Sequence, residues 1–271
     1  ATALSASCPV WFPCISRSSA LWLIMSASPS ACCPTGSWPA LVSPADYAPK
    51  GAEEIIDDLP VYVVGNAGTK AVIVLPEVFG WAGRLKGICD TLADEGFFVV
   101  MPDCHRKDTA EGKPDLLAWV AQYSYEEVVG PDFARIMAWL ARKGVTSIGA
   151  LGFCWGAWAF CRASAAGVPL KCGVGPHPSL KLEELAFDSN QQALAEQVQM
   201  PVLLMPAGND PDNIKSGGQV ALALAAKGGS SQVYPEMMHG WVSRGDLSQP
   251  GVARDAHDAL TRAIAFLQLH L

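Results

Sequence analysis

The chain has 271 residues, half of them hydrophobic and only 17% charged, which suits one large domain with a buried core and excludes a disordered chain. A net charge of −7 argues against the basic face that general nucleic-acid binding needs. No apolar run reaches the roughly 18 to 20 residues that span a bilayer, so no membrane partner is expected.

Residues 1–45 contain no Asp or Glu, are rich in Ser, Ala, Pro and Cys, and hold Arg17 as their one basic residue. Two readings fit equally: an organelle transit peptide, for chloroplast or mitochondrion, or an upstream extension with initiation at Met25. Residues 1–50 are therefore set apart as an N-terminal extension, and 51–271 form the expected domain. The nine cysteines show neither C-x-x-C spacing nor paired Cys/His clusters, which gives little support to structural zinc or a secreted disulfide framework. A reducing, cytoplasmic setting is the simpler expectation, with no metal or organic cofactor.

From Leu59 onward short β-branched runs alternate with amphipathic stretches. Strands are predicted at Leu59–Val64, Ala71–Leu75, Phe97–Met101, Ser147–Gly152, Cys172–Val174, Val202–Met205 and Gln232–Tyr234. Several are continuously apolar, as central strands covered on both faces are. Between them, Phe133, Ile136, Met137 and Leu140 share one helical face, with Asp132 and Arg135 off it. In the last helix Val252, Ala256, Leu260, Ile264 and Leu267 form the apolar stripe, and Arg254 and Asp258 point away. The alternation predicts an α/β architecture with a mostly parallel, doubly wound sheet.

The segment Ser147–Ala157 reads as strand, sharp turn, helix. Within it Gly152-Phe153-Cys154-Trp155-Gly156 matches the G-x-S-x-G nucleophile elbow with cysteine in the serine position. A side chain two residues before or after the nucleophile would collide with a neighbouring strand or helix, so glycine is needed there. The following helix, about Trp155 to Ala166, places its positive end at the thiol and favours the thiolate. Cys154 is thus the candidate nucleophile, and a buried structural thiol is the plainer alternative.

The order nucleophile, acid, histidine is expected in such a fold. His239 follows the last predicted strand in a loop ending His239-Gly240, where the base belongs. His257 and His270 fall in the C-terminal helix and its tail. His177 also ends a strand; it comes too early to be the base and is a candidate for the pocket border. After the strand Val202–Met205 the loop carries Asp210 and Asp212; Asp210 is preferred and Asp212 held in reserve. The acid would fix the imidazole tautomer.

With these positions placed, the chain resembles the dienelactone hydrolase family, and more closely its eukaryotic cytosolic branch, over about Leu59 to Leu271. The resemblance rests on Leu75–Gly80 (Leu-Pro-Glu-Val-Phe-Gly), Val99–Asp103, Gly152–Gly156, His177-Pro178-Ser179 and His239–Arg244. It implies the α/β-hydrolase fold and a role for Glu77, a carboxylate near the nucleophile that takes the thiol proton when substrate binds. It also implies an oxyanion hole from the backbone N–H groups of Val78 and Trp155. The family's substrate arginines have counterparts in Arg244, one position beyond the bacterial arrangement, and only roughly in Arg106 and Lys107. Trp241 is a further candidate for the pocket. An N-terminal Cys-Cys, as at Cys32 and Cys33, also recurs in that branch, without a mechanism to explain it.

The reaction expected is cleavage of a small-molecule ester or lactone through a thioester acyl-enzyme, by a monomer or weak dimer. Two rivals stay open: a non-catalytic α/β-hydrolase-fold protein that binds a ligand or partner, and a thiol-dependent redox protein.

Overall fold

Five consecutive apolar residues from Ala71 to Leu75 leave no polar side for water, and the strand they form lies near the middle of the sheet. The computed structural model describes residues 33–40 and 47–271. Met25, Cys32 and the transit-peptide reading lie outside the described residues. Among those described, the strands are β1 (Ala52–Ile56), β2 (Leu59–Val64), β3 (Lys70–Leu75), β4 (Phe98–Pro102), β5 (Ser147–Gly152), β6 (Cys172–Pro176), β7 (Val202–Met205) and β8 (Ser230–Ser231). The helices are α1 (Leu85–Asp94), α2 (Leu116–Val120), α3 (Gly130–Arg142), α4 (Trp155–Ala165), α5 (Leu182–Leu185), α6 (Gln191–Gln197), α7 (Gln219–Ala225), α8 (Trp241–Arg244) and α9 (Pro250–His270).

One eight-stranded sheet has the order β1-β2-β4-β3-β5-β6-β7-β8. The pairs from β4 to β8 are all parallel, while β2 runs antiparallel to both β1 and β4. Successive side chains point to opposite faces, so the strands feed two cores at once. Ala71, Ile73 and Leu75 pack with Phe133, Ile136 and Leu140 of α3 and with Trp158 and Ala159 of α4. Val72 and Val74 pack with Leu85, Ile88 and Leu92 of α1 and with Val252, Ala256 and Leu267 of α9.

Three details differ from the sequence reading. Strand β1 was not predicted, because four of its five residues are exposed and only Ile56 is buried, leaving no apolar alternation. It forms by hairpin pairing with β2, Ile56 opposite Leu59 across a two-residue turn in which Asp57 takes φ +57°. The run predicted at Gln232–Tyr234 lies just past β8, where the N–H groups of Gln232 and Tyr234 donate to the carbonyls of Leu204 and Pro206 and extend the pairing along β7. In α9 the buried line is Val252, Ala256, Ala259, Ala263 and Leu267, with Leu260 and Ile264 half-buried. Small alanines let this helix lie close to the sheet, where Gly149 sits so near that an added Cβ would fall 2.9 Å from Leu267 Cδ2.

Candidate active site

The parallel strands all end at one edge, and the loops leaving β3, β5, β7 and β8 meet there. Cys154 sits between β5 and α4 with φ +52° and ψ −111°, a conformation costly for any non-glycine residue. The flanking glycines are required by close backbone approach. A Cβ on Gly152 would lie 2.3 Å from the Gly156 carbonyl oxygen, and one on Gly156 would lie 2.3 Å from the Leu75 carbonyl oxygen. Because Trp155 opens α4, its N–H has no acceptor within the helix.

His239 and Asp210 converge on this thiol. His239 Nδ1 lies 2.7 Å from Asp210 Oδ1, and the other oxygen of that carboxylate accepts from the Ala207 N–H at 2.8 Å. Both side chains are buried. Asp212 is 95% exposed and pairs with Lys215, so of the two candidate acids only Asp210 reaches the histidine. The loop is pinned by Asn209, whose Oδ1 accepts from the His239 N–H at 2.7 Å. Burial pushes the imidazole pKa down, but the Asp210 carboxylate and the neighbouring Cys154 thiol more than offset this and hold it well above its ordinary value. Ser179 Oγ lies 3.3 Å from Cys154 Sγ.

Glu77, in the loop after β3, is fully buried. Its Oε2 accepts from Arg244 Nε at 2.7 Å. Burial raises its pKa, Arg244 opposes that rise, and the nearby Cys154 adds to it. Arg244 itself is buried in α8, and its guanidinium lies 4.8 Å from the Phe79 ring. Among the described residues the two terminal nitrogens of Arg244 have no hydrogen-bond acceptor, an unusual state for a buried cation. Gly240 makes room for this guanidinium, since a Cβ there would come within 2.5 Å of Arg244 Nη2.

Behind His239 stands an aromatic wall. The His177 ring is 4.9 Å from His239 and 5.4 Å from Trp241, both edge-on. Burial, then the charge of His239, push the His177 pKa well down, so it stays neutral. Val78 is buried beside Glu77. Arg106 is the sequence candidate that does not join this group. Its guanidinium is engaged by Asp132, with Asp58 at 3.6 Å, so its side chain serves an ion-pair cluster on α3.

Besides Ser179 and Asn209, three further contributors were not singled out from the sequence as site residues. Ser243 Oγ lies 3.4 Å from His177 Nε2. His105 is buried, with its ring 4.5 Å from Trp155 and 4.9 Å from Trp119, and burial drives its pKa to about 3. Cys33, in the stretch set apart as an extension, is buried against Cys154 and His239, all three donor atoms lying within 4.8 Å of one another. Residues 33–40 are held there by backbone contacts: the Trp38 N–H donates to the His239 carbonyl at 2.9 Å, and Asn209 Nδ2 donates to the Thr35 carbonyl at 3.1 Å. The Cys-Cys pattern was the available signal for Cys33; for His105 there was only its place in the loop after β4. A separate cavity of about 350 Å³, lined by Tyr47, Arg84, Val242 and His257 between α1 and α9, includes neither Cys154, Asp210 nor His239.

Residues 59–271 match the model of the dienelactone hydrolase family. This chain belongs to that family. Proteins similar to it include an uncharacterised AIM2 family protein of Schizosaccharomyces pombe, 28% identical over 88% of this chain and 98% of the relative. A protein of Salmonella typhi bearing the name carboxymethylenebutenolidase is 25% identical over 68% of this chain and 73% of its own length. Among solved structures, a Klebsiella pneumoniae protein named as a dienelactone hydrolase superposes with a TM-score of 0.63 at 22% identity, covering 82% of this chain and 99% of that one. The mostly parallel sheet is accordingly the α/β-hydrolase fold, and family membership makes the chain an ester or lactone hydrolase acting on small molecules. Among the described residues, no helix is long and apolar enough to cross a membrane.

Proposed function

We propose that this dienelactone hydrolase family member cleaves its ester or lactone through Cys154, with His239 as base and Asp210 orienting it. The observation that carries this reading is the strained elbow that presents Cys154 to an imidazole held at 2.7 Å by Asp210. Attack of the thiolate on the carbonyl gives a tetrahedral oxyanion, which the N–H groups of Trp155 and Val78 stabilise. Collapse expels the alkoxide, which takes a proton from the His239 imidazolium, and leaves a thioester. Water deprotonated by the now neutral His239 then releases the acid, and the freed thiolate recovers its own proton from Glu77. Glu77, poised near Cys154 with a raised pKa, takes the thiol proton as substrate enters.

The substrate class follows from Arg244. A buried guanidinium whose two terminal nitrogens find no acceptor among the described residues suits a carboxylate next to the scissile carbonyl, bound by both of them. The deciding experiment follows hydrolysis of an activated aryl ester and of a dienelactone before and after iodoacetamide treatment, in the wild-type protein and in Cys154→Ala. Turnover that vanishes in step with alkylation of Cys154, and is absent in the variant, supports the reading. Undiminished turnover by Cys154→Ala overturns it, and no turnover by wild type on either compound favours a ligand-binding protein.

A further inference from the structure

A nucleophilic cysteine needs one base beside it; here the thiol and the base have a second thiol for company. Cys33 Sγ, Cys154 Sγ and a His239 ring nitrogen lie within 4.8 Å of one another, and all three side chains are buried. His239 Nδ1 is taken by Asp210, so the nitrogen available to this trio is Nε2. We propose that Cys33, Cys154 and His239 form a binding site for a soft divalent cation such as zinc, and that occupation of this site reversibly silences the enzyme.

The donor set fits such an ion. Two thiolates and an imidazole are what zinc prefers, and a tetrahedron with Zn–S near 2.3 Å places its sulfurs about 3.8 Å apart. The observed spacing needs side-chain adjustments of about 1 Å or less. Asp210 supplies the carboxylate–histidine support that metal-bound imidazoles usually have, which fixes the ring with Nε2 free to ligate. The fourth position is left for water. Charge also balances. Arg244 is a cation close to both sulfurs, which works against metal, but Glu77 pairs with it, leaving the two thiolates to neutralise the ion.

Binding is a proton exchange without electron transfer: M²⁺ and two thiols give a dithiolate complex and two released protons. With both the nucleophile's sulfur and the base's nitrogen bonded to metal, neither can act. Residues 33–40 thereby gain a role, since they carry the third ligand to the site and are fastened to it through the His239 and Thr35 carbonyls. That metal should inhibit rests on the hydrolase reading above; that metal should bind does not.

The test uses the full chain, reduced, chelator-stripped and kept anaerobic, titrated with cobalt(II), and reads thiolate-to-cobalt absorption together with visible bands of a tetrahedral ion. One equivalent bound with both signatures is expected, displaced by zinc. Cys33→Ser should weaken binding by more than about 100-fold, since loss of a ligand should exceed the 10- to 100-fold cost of losing a supporting residue; Asp210→Asn should show that smaller cost. Circular dichroism checks that each variant is folded, and Cys154→Ser carries the same test should Cys33→Ser not fold. No thiolate–cobalt band in wild type, or equal affinity in the serine variant, overturns the proposal. Turnover is measured separately on the metal-free protein, so a failure of the hydrolase reading is distinguishable from a failure of the metal site.

Discussion

Two of the clusters that bury a carboxylate against arginine do so in opposite ways. On α3, Asp132 is buried but accepts from Arg106 and from Arg135 at 2.8 Å, and both arginines keep about a third of their side chain in water. At the end of the sheet, Glu77 and Arg244 are both sealed from solvent, meet through one bond of 2.7 Å, and leave two guanidinium nitrogens without acceptors among the described residues. The first arrangement satisfies its charges and ties α3 to the turn after β1. The second holds charge without satisfying it, which costs stability and, on the proposed reading, keeps donors ready for the substrate carboxylate.

This contrast can be broken most sharply at Glu77. Glu77→Gln should lower turnover by about 10²- to 10⁴-fold, as expected for loss of a proton-transfer group. It should also cost about 3–5 kcal/mol of stability by leaving Arg244 buried and unpaired. Turnover near wild type, measured on folded protein, would reduce Glu77 to a counter-ion. Arg244→Met should raise KM for a carboxylate-bearing ester about 10- to 100-fold more than for a neutral ester of the same leaving group, the worth of charged hydrogen bonds of about 1.5–3 kcal/mol. An equal rise for both esters would remove the carboxylate from the picture.

On the satisfied side, Asp132→Asn should cost about 1–3 kcal/mol in urea unfolding, because Arg106 and Arg135 can turn to water. Its turnover per folded molecule should match wild type; a loss of activity would mean that the two clusters communicate. The smallest effect is a slope. His105 is neutral when folded, with a pKa near 3, and titrates near 6.5 when unfolded. Its contribution to stability is therefore complete above pH 6.5 and declines toward pH 3, at about 1.4 kcal/mol per pH unit. His105→Phe should flatten the fall in unfolding free energy between pH 7 and 5 by about that amount per unit below 6.5. An unchanged slope would place the acid sensitivity elsewhere, His177 being the other histidine whose pKa is held down by burial.

Much of the architecture was legible because it is local. Apolar runs such as Ala71–Leu75 and Ser147–Gly152, and the helical stripe through Phe133, Ile136 and Leu140, are consequences of which side chains must leave water, and periodicity records that choice. The elbow was legible for a similar reason, since Gly152 and Gly156 answer backbone contacts set within one strand-turn-helix unit and its neighbour β3. Strand β1 was not legible, because hydrogen bonding to β2 and not burial holds it in the sheet.

The sequence by itself determined the α/β class, the elbow at Cys154 and the loops that could carry an acid and a histidine. Only the tertiary structure set Asp210 and not Asp212 against His239, sent Arg106 to Asp132, turned Arg244 onto Glu77 and brought Cys33 against Cys154. The physical reason is sequence separation. Periodicity and turn chemistry act over a few residues, whereas Glu77 and Arg244 are 167 positions apart, and their meeting depends on the order in which the strands assemble.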